Sequence, residues 1–182
     1  MGRHSIGTTF RNNTAITVIK ELVYFTGVKN LVGYAFAGCT NLVTFIMPNQ
    51  ITDAASHGWE GDTKLTNFKF SDNFRYITYM TFNRCSNLKI IEIPASVTQI
   101  GDYCLGDNQG IKVIVSRCTT PPSNTTSTPF RGCSNGGVLY VPKGCINNYS
   151  IWMQNSGYWL GAKKWTITDE EYNGILPYTT VL

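Results

Sequence analysis

The chain has 182 residues, a formal net charge of +4, and only 14% charged residues, against about 25% in typical globular domains. Its 42% hydrophobic content can build a core, and its length fits one domain or one short repeat array. No run of Lys or Arg marks a nucleic-acid footprint, and no apolar stretch approaches the roughly 18 residues of a membrane span, so neither nucleic-acid binding nor membrane insertion is expected.

Residues 1–15 carry no clear period and read as an N-terminal arm or cap; the stretch from Met1 to Phe10 lacks the apolar core of a signal peptide. Ile16 to Tyr24 is the first apolar run and reads as the first strand. From here the chain repeats in steps of 23. Ile19, Leu42, Leu65, Leu88 and Ile111 form one aliphatic column. Leu22, Phe45, Phe68, Ile91 and Ile114 form a second. Tyr24, Met47, Phe70 and Ile93 form a third, which weakens at Ser116. Val28, Ile51, Phe74 and Val97 keep the same step, as do Leu31, Ala54, Ile77 and Ile100, and Phe36, Trp59, Phe82 and Leu105. A fixed period between 20 and 50 residues signals a solenoid. The alternation after each column Leu predicts a short strand, which Pro48 and Pro94 terminate. The second half of each coil is too short for a full helix; a helical turn, a 3₁₀ piece or a short second strand fits it.

The segments Gly33 to Leu42 (GYAFAGCTNL), Cys85 to Gly101 (CSNLKIIEIPASVTQIG) and Tyr24 to Val28 (YFTGV) resemble the BspA-type leucine-rich repeat of bacterial surface proteins. The resemblance covers residues 16–142. It implies a right-handed leucine-rich-repeat solenoid with one strand per coil in a parallel sheet and short helical or irregular segments opposite. Residues 56–65 depart most, because His57, Gly58, Trp59 and Asp62 replace the Tyr, Ala, Phe and Cys of 34–39.

Beyond Ile111 the order loosens. Cys118 to Pro129 is a Pro/Ser/Thr loop, Gly137 to Pro142 a last strand, and residues 143–182 a C-terminal cap and tail. Ile146, Tyr149, Trp152 and Met153 fall on one helical face. Tyr158, Trp159, Trp165 and Ile167 are expected over the terminal coil. Thr168 to Glu171 resembles a capping box, so a short helix is expected there, with Asp169, Glu170 and Glu171 as favourable charge at its N-terminus. The apolar tail from Ile175 to Leu182 has no evident partner. Cys39 and Cys85 share one column two coils apart, about 10 Å, too far for a disulfide. They and Cys133 read as small buried hydrophobes, while a pairing among Cys104, Cys118 and Cys145 stays open.

No nucleophile–base pair, phosphate loop or paired-carboxylate motif is present, so no enzymatic activity, cofactor or metal site is expected. His57 could pair with Asp62 or Cys39, although filling a divergent corner position explains it better. If Phe45 and Met47 point inward, the outward sheet face carries Thr44, Ile46, Asn67, Lys69, Ile90, Glu92, Val113 and Val115. Its apolar members suggest an interaction surface, unless the chain's own arm or tail covers them. Lys69 and Glu92 are expected to pair. A competing aromatic site, suited to sugars, is Trp152, Tyr158 and Trp159. The resemblance implies a non-enzymatic binding module, taking a protein or glycan ligand on a cell surface, itself surface-bound or secreted, and able to form homo-oligomers. The alternative, from the missing signal peptide and the thiol content, is a structural or receptor-binding part of a phage virion contacting neighbouring subunits.

Overall fold

The computed structural model describes residues 5–124, 128–133, 136–155 and 164–180. Each coil lays down two short parallel strands on different sides. The first side carries β2 (Val18–Ile19), β4 (Thr44–Ile46), β6 (Asn67–Lys69), β8 (Ile90–Ile93), β10 (Val113–Ser116), β12 (Gly137–Tyr140) and β13 (Trp165–Thr168). The second carries β1 (Ser5–Ile6), β3 (Asn30–Leu31), β5 (Asp53–Ala54), β7 (Tyr76–Ile77), β9 (Gln99–Ile100) and β11 (Ser123–Asn124). All paired neighbours run parallel, and each side consists of two sheets in place of the one expected, parted between β6 and β8 and between β5 and β7. Of the options the sequence left for the second half-coil, the short second strand is the one adopted.

The third side has no strands but is equally regular. The N–H groups of Tyr34, Phe36 and Gly38 donate to the carbonyls of Ser56, Gly58 and Glu60; those of His57, Trp59 and Gly61 donate to Tyr79, Thr81 and Asn83; those of Met80, Phe82 and Arg84 donate to Asp102, Cys104 and Gly106. Each corner opens on a left-handed residue, at Tyr34, His57, Met80 and Tyr103, with φ of 61°, 63°, 53° and 52°. Each closes on another, at Gly38, Gly61, Arg84, Asp107 and Gly132. Glycine takes this geometry at no steric cost, and the other residues are held in it by the ladder on both sides.

The core is the set of columns read from the period. Leu42, Leu65, Leu88 and Ile111 are fully buried, as are Phe45, Ile51, Phe74, Phe36, Trp59 and Phe82. Trp59, in the most divergent repeat, stacks between Phe36 and Phe82 with ring centroids 6.1 and 5.4 Å away, so the indole takes the place of a phenyl in that column. Ser116, where the third column weakens, is buried and bonded to the hydroxyl of Tyr149, itself fully buried on the helix α1 (Ile146–Asn155). The expected helical face holds: Tyr149 and Met153 are buried and Ile146 and Trp152 half-buried.

The first coil corrects the register. Ile19 pairs with Phe45, a step of 26, and Leu22 and Tyr24 lie in a 3₁₀ turn (Glu21–Tyr24) instead of in the strand columns. The connection from β2 to β3 is longer than its counterpart from β4 to β5, and the turn absorbs the excess, which leaves Tyr24 at 80% exposure. Residues 5–15 are also more than an arm. β1 extends the second sheet, and Phe10 stacks on Phe36 at 5.2 Å, continuing the aromatic column. At the other end Trp165 of β13 lies against the backbone of Gly137. A Cβ there would meet the indole at 2.6 Å, so only glycine permits the approach.

All six cysteines are free and buried, including Cys104, Cys118 and Cys145, for which a pairing had stayed open. Their thiols face different carbonyls, those of Pro129, Pro94 and Lys143. The expected helix at Thr168 is absent: Thr168 ends β13, its hydroxyl accepts the N–H of Glu170, and Asp169 accepts the N–H of Gly144.

Candidate binding surfaces

The outward face of the first sheet differs from expectation. Thr44, Ile46, Ile90 and Val115 are buried, while Asn67, Lys69, Glu92 and Val113 are half-exposed. Part of this face is covered by the chain's own C-terminal segment, which includes the apolar tail that had no evident partner. After β13 the chain returns across the sheet. Tyr172 meets Tyr140 of β12 edge-to-face at 4.9 Å. The 3₁₀ turn Pro177–Thr180 reaches β6, where the Tyr178 hydroxyl donates to a carboxylate oxygen of Glu92 and the Lys69 ammonium sits 5.9 Å from the Tyr178 ring centre. Tyr178 is only 7% exposed. Ile46 lies beside Lys69 in register and Ile90 two residues from Glu92, so both are on the face this strap reaches, with Ile46 also bordering the first-coil turn at Glu21 and Tyr24. The expected Lys69–Glu92 pair gives way to Arg117, whose Nε donates to Glu92 at 2.6 Å.

The aromatic cap does not form an open platform where it is described. Trp152 donates its indole N–H to the Pro122 carbonyl at 2.8 Å and meets the rings of Phe130 and Tyr149 edge-to-face. Tyr158 and Trp159 lie outside the described residues.

His57 contacts neither Asp62 nor Cys39 through its ring. Its Nδ1 lies 2.7 Å from Glu60, and the ring stacks on Tyr34 at 4.3 Å. Asp62 is fully buried and occupies the same column as Cys39, Cys85, Asn108 and Cys133. That column is a row of buried donors. Cys39, Cys85, Asn108 and Cys133 donate to the carbonyls of Phe10, Trp59, Phe82 and Leu105, each in the preceding coil. Asp62 accepts the Cys39 N–H at 2.8 Å through Oδ1, and Oδ2 has no partner. Burial pushes its carboxyl up to about 9, against the opposing pull of the Cys39 and Gly38 N–H groups, so it is a neutral acid at pH 7 and resembles its column neighbours. It holds coils together through the Cys39 N–H of the preceding coil.

Sequence reasoning missed one surface. Rings follow one another along the third side: Tyr34 on His57, His57 edge-to-face with Tyr79 at 5.2 Å, and Tyr79 edge-to-face with Tyr103 at 6.3 Å. Arg11 lies 4.4 Å from the Tyr34 ring centre at one end and Arg131 5.5 Å from that of Tyr103 at the other. Tyr34, His57 and Tyr103 sit in one column at the 23-residue step, so the signal was present, but that column was not among those followed.

A coil of two short parallel strands and a hydrogen-bonded corner, repeated around stacked aliphatic and aromatic columns, defines a leucine-rich-repeat solenoid. The sequence profile described as "BspA type Leucine rich repeat region" matches residues 7–136 in six copies, and the chain belongs to that family. Among solved structures, a leucine rich cell surface protein from Faecalibacterium prausnitzii A2-165 superposes with a TM-score of 0.62 at 21% identity, covering 73% of this chain and 33% of that one. The T. pallidum leucine rich repeat protein gives 0.60 at 23% identity, covering 75% of this chain and 59% of that one. These likenesses show the fold. The chain spans a third and under two thirds of the two structures, respectively. No curated protein matches it significantly. Among the described residues no helix is long and apolar enough to cross a membrane.

Proposed function

We propose that this chain is a non-enzymatic binding module of a bacterial surface protein, engaging a protein or host-surface partner through the flanks of the solenoid. The observation that carries this reading is the regularity of the array: coils stack on one another with parallel strands on two sides and a hydrogen-bonded corner on the third, creating long surfaces, the feature through which repeat proteins act. Family membership supports it, and the F. prausnitzii neighbour, described as a cell surface protein, supports a surface location. Neither neighbour favours the virion reading. On the first sheet, a partner reaches Asn67, Lys69, Glu92 and Val113 while the strap is in place; Thr44, Ile46, Ile90 and Val115 lie beneath the surface.

The test is binding of the purified chain to intact epithelial cells and to a panel of extracellular-matrix proteins, with mass spectrometry of each ligand afterwards. Saturable binding that leaves the ligand unchanged is expected. No binding to cells or proteins, or chemical conversion of a bound ligand, overturns the reading.

A further inference from the structure

We propose that the tyrosine-lined groove between the second and third sides binds a neutral, extended β-linked oligosaccharide, laid along the solenoid axis. The inference rests on the binding-module reading and names a ligand class for one surface.

The groove has a volume of 390 Å³ and is lined by Tyr76, Tyr79, Ser56, Thr78, Gln99 and Asp102, together with Ile77 and Gly101. Tyr76 and Tyr79 are 39% and 41% exposed, high values for rings set in regular structure. The remaining polar lining offers hydroxyl, amide and carboxylate groups and no cation. A protein partner of the usual kind would find few aliphatic contacts here. A sugar finds what it needs: flat apolar rings for its C–H faces, and scattered acceptors and donors for its hydroxyls.

Tyr79 of the groove also belongs to a longer row of rings. Tyr34, His57, Tyr79 and Tyr103 advance along the axis with ring spacings of 4.3, 5.2 and 6.3 Å. Adjacent coils are about 4.8 Å apart, close to the length that one hexopyranose adds to an extended β-linked chain. A glycan laid in the groove therefore meets three successive coils, at Ser56, at Tyr76 and Tyr79, and at Gln99 and Asp102.

The test is calorimetric titration with cello- and β-1,4-manno-oligosaccharides of two to six units. Affinity should rise with length up to about three units, one per coil that lines the groove, and then level off. Tyr76→Ala and Tyr79→Ala should each weaken binding about tenfold. Tyr79→Phe, which keeps the ring, and Tyr24→Ala, which removes an exposed ring on the first coil, should leave it near wild type. Thermal transitions confirm that each variant is folded. If the wild type binds neither series yet still binds cells or matrix proteins, the sugar assignment is wrong and the module reading stands. If sugar binding survives loss of both tyrosines, the groove is not the site. If a matrix protein, and no sugar, loses affinity on those substitutions, the groove is a protein interface and the proposal is overturned.

Discussion

Asp62 shows how a single column can be read only in part. Its place in the array follows from the 23-residue step, and its departure from Cys is plain in the sequence. That the column is a row of donors to the preceding coil's carbonyl is not, because Cys, Asn and Asp look unrelated until their hydrogen bonds are known. The acid fits by keeping its proton. Folded, the carboxyl holds it to about pH 9, while the unfolded chain releases it near the ordinary value of 3.8. Between those values the native state binds more protons than the unfolded state, so this group makes stability fall as pH rises. Asp62→Asn, which supplies an amide donor as Asn108 does, should flatten that decline and raise stability at pH 8 by more than about 1 kcal/mol. Thermal unfolding of both proteins from pH 5 to 8 checks this. An unchanged slope means Asp62 is ionised in the fold.

At the scale of elements, the strand side was legible because each coil repeats an inward aromatic or aliphatic residue between outward ones. Phe45, Phe68, Ile91 and Ile114 all stand where the period puts them. The first coil was less legible. Ile19 and Leu22 are equally apolar, and nothing in their identity says that the turn after β2 takes up extra residues. The outward face was read as carrying apolar patches, either open or covered by the chain's own arm or tail, and the sequence did not choose between the two. Periodicity gives the direction of a side chain but says nothing about a distant, non-repeating segment that lies on it. Tyr178 anchors that segment through Glu92 and Lys69. Tyr178→Ala should release the strap while the coils stay folded. Limited proteolysis should then cut within residues 169–180 several times faster than in wild type, with increased dye binding to the uncovered Ile46 and Ile90, since few other buried contacts hold the segment. Unchanged cleavage would mean that the strap is held elsewhere.

Over the whole molecule, each coil touches mainly its neighbours, and such arrays tend to unravel from their ends. The strap changes this connectivity, because it ties the segment after β13 back to β6 and β8 and encloses the coils between them. Cys39 lies outside the enclosed stretch. Cys85, Cys104, Cys118, Cys133 and Cys145 lie within it. Because every one of these thiols is buried, reagent reaches it only when its own coil opens, and the set becomes a row of clocks spaced along the axis. Labelling with a small alkylating reagent under native conditions, read by mass spectrometry, should show Cys39 reacting first and on its own schedule, with Cys85 to Cys133 slower and at one common rate. Cutting the tie with Tyr178→Ala should spread that common rate into a sequence ordered from the C-terminal end. The sulfur atoms would then time how far each breathing motion travels along the array before it closes again.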